Sequence, residues 1–391
     1  MGRLEAPKDA PPVHRIVSVD ALRGFSMFWL LGADGIFWSL DRMAHGRGML
    51  GSIASFLKTQ MIHVAWEGFR FYDLIFPLFI FVVGVAIVLS LPGLVEREGR
   101  AAAHVRVFRR ALILYGLGLI CYGGISHHWS DIRFLGVLQR IALCYLAASL
   151  LFLNLDRRGI VVALIVLLVG YWALMVFVPV PGIGAGSFAP DANLANWIDA
   201  RYLPGRFWDV THDPEGLLST LPAIGSCLLG VLAGLTLTDV RLQAGQKSLL
   251  LIGSGILLTI AGYAWGVEFP IVKAIWTSSF VLVAGGYSLM LLGGLHQLVD
   301  VWDFKRWAAP FVWIGANSIT LYVINSVAGV EDVNVSGFER FARLFVGGDF
   351  SDLLDHVLTP GAGDFAVHAL SLGLAIALAG FLYRRKIFLR V

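Results

Sequence analysis

The sequence predicts an all-α fold, a polytopic transmembrane helix bundle of about ten spans with both termini in the cytoplasm. Three observations carry that expectation. Of 391 residues, 57% are hydrophobic and only 15% charged, far from the balance of soluble domains. Apolar stretches of roughly 18–25 residues recur along the chain, each long enough to cross a hydrocarbon layer of about 30 Å as a helix. Most of the 30 Lys and Arg fall in alternate connections, which marks those connections as cytoplasmic.

The elements follow in order. MGRLEAPKDAPPVHRI, residues 1–16, is polar and proline-bearing and reads as a cytoplasmic tail rather than a cleavable leader. A first span at about 18–40 carries Asp34 deep inside it. The outer segment after it contains MLGSIASFLKTQMIHVAW, patterned to lie along the interface as an amphipathic helix. Spans at 71–94 and 108–125 flank the cytoplasmic EREGRAAAHVRVFRR, and spans at 135–153 and 159–178 come next. A Gly-, Pro-, Asp- and Asn-rich outer segment then leads into THDPEG. Spans at 216–238, 248–266, 274–299 and 308–328, a mixed outer segment and a last span at 364–383 complete the chain. No polar stretch is long enough to build a separate core, so residues 1–391 read as a single transmembrane domain.

Ionised groups in or beside spans are the informative ones, because each costs at least about 2.5 kcal/mol near the bilayer centre. At the predicted outer face lie His63, Glu67, Asp73, His127, His128, Asp131, His212, Asp213, Glu215 and Lys273. Deeper lie Asp34, Gln139, Arg140, Asn317 and Ser318. Structural readings compete position by position. Asp20 suits a helix cap with Arg23 snorkelling, Glu67 and Arg70 suit a surface pair, and Asp213-Pro214 suits a turn with Glu215 at the positive end of a helix. Arg140 has Asp34 and Asp131 as candidate partners. Together, however, the groups describe a chamber opening outward. Cys121, Cys144 and Cys227 fall inside spans without metal-ligand spacing, so neither a disulfide framework nor a metal site is expected. The formal charge of +3 reflects loop asymmetry, and no nucleic-acid partner is expected.

Seven blocks make the chain resemble the heparan-α-glucosaminide N-acetyltransferase family. They are SVDALRG (18–24), HVAWEGFRFYDLIFPLFIFVVG (63–84), LGVLQRIALCY (135–145), DPEGLLSTLPAI (213–224), FPIVKAIWTSSF (269–280), GANSITLYV (315–323) and LYRRKIF (382–388). The resemblance implies a transmembrane acetyltransferase that takes acetyl from cytosolic acetyl-CoA and gives it to an amino sugar or related glycan outside. It puts the catalytic histidine at His63. Where the family commonly has Asn in the first span, this sequence has Asp34.

The expected chemistry is base catalysis by His63 on the amine, directly or through an acyl-imidazole. Asp73 or Asp213 would orient the ring, and Lys273 or Asn317 would bind the thioester oxygen. Asp34, Glu67, Arg140 and Glu215 complete the expected acceptor set. Arg109, Arg110, Arg384, Arg385 and Lys386 are expected to hold the CoA phosphates. Expected partners are membrane lipids, the acceptor and, as an open alternative, a second copy in a homodimer. A proton-coupled transporter and an O-acyltransferase of envelope glycans are the rival functions, and a bacterial inner membrane is the expected location.

Overall fold

A backbone inside lipid must satisfy its own hydrogen bonds, so the apolar runs fold as helices and breaks occur only where protein or a cavity takes up the freed groups. The computed structural model describes residues 16–44, 46, 48–124, 128–209, 212–329 and 335–389, so the expected tail up to residue 15 and His127 lie outside the described residues. Val17–Phe28 (α1) starts without Asp20 as its cap. Asp20 is already in the first turn and lies 3.4 Å from Arg23, while the distant Asp300 carboxylate accepts from Val17 N at 3.0 Å and Ser18 N at 3.2 Å. A π-helical turn, Trp29–Ala33, leads into Asp34–Ala44 (α2), and the path breaks at Gly32, whose φ of 97° is open to glycine at little cost.

Gly48–Gln60 (α3) is the expected amphipathic helix, with Met49, Leu50 and Phe56 exposed. Ser55 and Lys58 tie it to Asp41 of α2. Phe71–Cys121 (α4) is one helix only nominally, because Gly99 at φ 85°, ψ 168° splits it into two rods. Val137–Asn154 (α5), Arg157–Phe177 (α6) and the short Leu194–Tyr202 (α7) precede Thr220–Thr238 (α8), Ala244–Trp265 (α9) and Ser278–Leu295 (α10). Ala309–Ala316 (α11) and Ser318–Val327 (α12) meet at Asn317 with a 63° bend. Gly337–Val346 (α13) and Asp349–Val357 (α14) pack on the final Ala362–Arg384 (α15).

Among the described residues, seven helices are long and apolar enough to cross a membrane, or eight if the bent α11–α12 pair is one span. The sequence count of about ten also divides α4 at its break and includes the interrupted α1–α2 path. Burial separates centre from rim: the apolar window of α4 is 78% buried and that of α9 only 22%. The outward residues of α6 and α9, such as Val162, Val166, Ile256 and Leu257, are apolar, as a lipid-facing surface requires. This is an integral membrane protein. α1 and α11 approach most closely at Gly24 and Gly315, where a Cβ would stand 1.7 Å from Phe311 O and 2.0 Å from Asp20 O.

Candidate functional site

His63 sits in the non-helical segment between α3 and α4, and the start of α4 aims it. Asp73, in the first turn of α4, accepts from the backbone N–H of Arg70 (3.1 Å) and of Val64 (3.3 Å) through Oδ2. Its Oδ1 lies 2.8 Å from His63 Nδ1. A carboxylate only accepts, so Nδ1 carries the proton and Nε2 presents a lone pair. Asp73 is buried while the His63 side chain is 50% exposed: the anchor is fixed and the working face is open. The helix N-terminus favours the charge on Asp73.

The third member arrives from the α9–α10 connection. Gly68 N donates to Ile271 O at 2.8 Å, and Glu67 pairs with Val272 in an antiparallel bridge. Thr277 accepts from Val272 N at 3.0 Å and caps α10 by accepting from Phe280 N at 3.4 Å. Between them Trp276 adopts a φ of 51°, a strained conformation for a bulky residue, held by burial against Phe76 and Phe280. This tight turn brings Lys273 Nζ to 2.9 Å from His63 Nδ1, 3.2 Å from Nε2 and 3.5 Å from Asp73 Oδ1. Burial lowers the pKa of Lys273, with Asp73 and Glu215 opposing. Burial also lowers that of His63; the Asp73 hydrogen bond opposes this and the Lys273 charge adds to it.

Asp213 and Glu215 do not join the imidazole. Arg133, which the sequence did not single out, holds both: Nε donates to Asp213 Oδ2 at 2.9 Å, and Nη2 donates to Asp213 Oδ1 at 2.7 Å and Glu215 Oε2 at 2.6 Å. Its guanidinium lies between the Tyr122 and Trp208 rings. α8 begins only at Thr220, so Glu215 is a partner of Arg133 rather than a first-turn residue. Arg140 is fully buried, and the partners found are neither Asp34 nor Asp131. It donates to Gly216 O at 3.1 Å and to Ser219 Oγ, and lies 5.0 Å over the Trp276 ring. Its Nε and Nη1 have no hydrogen-bond partner among the described residues.

On the other side of the ring, Tyr72 lies 4.8 Å from His63 between centroids, and its hydroxyl is within hydrogen-bonding reach of Asp34. Asp34 follows the break at Gly32 and faces His368. Tyr72 begins a face of α4 that continues through Phe76 to Phe79, Val83, Ala86 and Ser90. The last four line a cavity of about 580 Å³. The cavity is also lined by Arg23, Arg110, Phe388 and Asn317. Arg110 Nε and Asn317 Oδ1 are buried without hydrogen-bond partners among the described residues, and the Arg110 guanidinium lies 4.7 Å over the Tyr145 ring. Arg109, Arg384, Arg385 and Lys386 do not line it; Arg384 and Arg385 stack instead over Trp313 and Phe381. Nor do the His63 cluster residues line it: Phe79 lies about 9 Å along α4 from Asp73, with Phe76 packed on Trp276 between them.

No family model matches the chain. Two curated proteins do. Human heparan-alpha-glucosaminide N-acetyltransferase is 27% identical over 380 residues, covering 81% of this chain and 53% of the human protein. The mouse protein of the same name is 28% identical over 326 residues, covering 68% of this chain and 49% of its own length. The chain is a distant relative of these proteins and spans about half the length of each.

Proposed function

We propose that this chain is a transmembrane acetyltransferase that moves acetyl from cytosolic acetyl-CoA to an amino sugar or related glycan on the outer side of the membrane. The observation that carries the reading is the His63–Asp73–Lys273 cluster at the head of α4 in a membrane bundle that also holds a cavity along α4 from Phe79, bordered by Arg23 and Arg110. In this reading the bundle has ten spans, with both termini and the cavity mouth cytoplasmic and His63 outside. A bacterial inner membrane is the setting that fits its loops.

The cavity residues fit the donor: an unpartnered guanidinium nitrogen on Arg110 suits a phosphate, and the unpartnered Asn317 oxygen suits an amide N–H of the pantetheine arm. The arm extends along the Phe79–Phe76–Tyr72 face, displacing the Phe76 contact, and acetyl-CoA supplies the thioester. Nε2 of His63 takes a proton from the acceptor ammonium so that the free amine attacks the thioester carbon; the C–N bond forms, the C–S bond breaks, and the departing thiolate takes a proton from the imidazolium, which Asp73 holds and stabilises. Protonated Lys273 faces the oxyanion that develops on the thioester carbonyl. Asp34, with Tyr72, binds the cationic acceptor, which favours an amine over the hydroxyl of an O-acyltransferase.

The test is transfer in proteoliposomes with acetyl-CoA on one side and glucosamine-type or hydroxyl acceptors on the other. Amine acetylation should fall at least about 100-fold in His63→Ala. Absence of acetyl-CoA binding, or full transfer without His63, overturns the reading; flux of free sugar without CoA supports a transporter instead.

A further inference from the structure

We propose that Lys273 is itself an acetylation site, so that without an external acceptor the protein modifies its own active-site amine. The inference rests on the acetyltransferase reading and on the distances within the cluster. By either route the acetyl carbonyl is presented beside Nε2 of His63, bonded to it as an acyl-imidazole or held as a thioester next to the base that takes the attacker's proton. Lys273 Nζ stands 2.9 Å from Nδ1 and 3.2 Å from Nε2, so a carbonyl presented at that ring edge lies beside a built-in primary amine.

Charge decides whether it reacts. Protonated Lys273 has no lone pair and serves as an electrostatic partner; deprotonated, it is a primary amine in a site built to acylate primary amines. Its side chain is 21% exposed, which disfavours the ammonium, and Asp73 at 3.5 Å is the contact that holds the charge in place. The groups around it are His63 before α4, Asp73 in its first turn and Glu215 on the α7–α8 connection, and of these His63, with Nε2 at 3.2 Å, is the one placed to take its proton.

The step balances. The thioester C–S bond breaks, an amide C–N bond forms at Nζ, one Nζ proton passes through His63 to the departing thiolate, and CoA leaves as the free thiol. The same proximity bears on the route of normal transfer. An acyl-imidazole at His63 lies beside an internal nucleophile and is drained irreversibly into an amide, whereas direct transfer from thioester to a bound acceptor leaves no waiting intermediate. External acceptor therefore protects the enzyme.

The experiment is peptide mass spectrometry of the full-length protein in detergent or nanodiscs after incubation with acetyl-CoA alone, with acetyl-CoA plus amine acceptor, and with neither. Acetyl-CoA alone should add one acetyl group to the peptide carrying Lys273 and cause a parallel loss of activity in a later assay. Acceptor should suppress both, and His63→Gln should abolish the modification. Lys273→Arg keeps the charge without the nucleophile, and whatever activity it retains should not decline on preincubation. Acetylation of the external amine with Lys273 unmodified and no loss on preincubation overturns this inference alone. No acetyl-CoA binding and no external product overturns the acetyltransferase reading, and this inference with it.

Discussion

Asp73 divides its two oxygens between backbone and imidazole: Oδ2 closes the first turn of α4, and Oδ1 sets the tautomer of His63. Asp73→Asn should therefore lower transfer by about 100-fold or more while costing about 0.5–2 kcal/mol of stability from the weakened cap, read as kcat beside thermal unfolding. His63 has a pKa below 6.5, first through burial and then through the Lys273 charge. The neutral base thus persists below that pH, and the acid limb of the pH–rate profile should lie under 6.5, moving upward in Lys273→Met. Because the folded state binds fewer protons than the unfolded state between the two values, this histidine makes stability rise with pH across that window. Arg133→Met strands two buried carboxylates and should cost about 3–5 kcal/mol, whereas the exposed Arg42–Asp364 pair is worth little. His63, Asp73 and Lys273 were all legible as titratable groups at one face. Asp73 was one of two expected orienters of the ring, with Asp213 the other, and sequence did not choose between them because the segment between His63 and Asp73 follows no helical period; the Lys273 contact was not legible, since it lies on a distant connection. Arg133 and Tyr72 escaped because one looked like a loop cation and the other like a span aromatic.

The elements were legible as apolar runs, and their interruptions were not. Hydropathy averages across a single glycine, so Gly32 and Gly99 left the runs intact on paper although each breaks a helix, and Asn317 bends the α11–α12 path in the same silent way. Capping by Asp300 was equally invisible, because the partner comes from the far side of the α10 end rather than from the preceding residue. The close α1–α11 approach has a direct consequence. Gly315→Leu forces a side chain into the Asp20 carbonyl and the cavity wall together. It should cost about 1–3 kcal/mol in thermal unfolding and weaken acetyl-CoA binding in a thermal-shift or equilibrium assay. A variant with intact binding would show that the cavity is not the donor site.

Across the whole molecule, the His63 cluster sits at the head of α4 and the cavity lies along the same helix from Phe79 to Ser90, about 9–25 Å further on. With the proposed orientation, donor and acceptor act from opposite sides: in oriented vesicles, acetyl-CoA supplied to the side that carries His63 should give no product, and supplied to the opposite side it should. Glu67, Gly68, Ile271 and Val272 join the two connections that carry the imidazole and the ammonium, stitching them backbone to backbone. A rocking of the surrounding rods therefore carries both side chains as one cargo. The distance between them is written into a scrap of sheet, so the machine can breathe around its chemistry without detuning it.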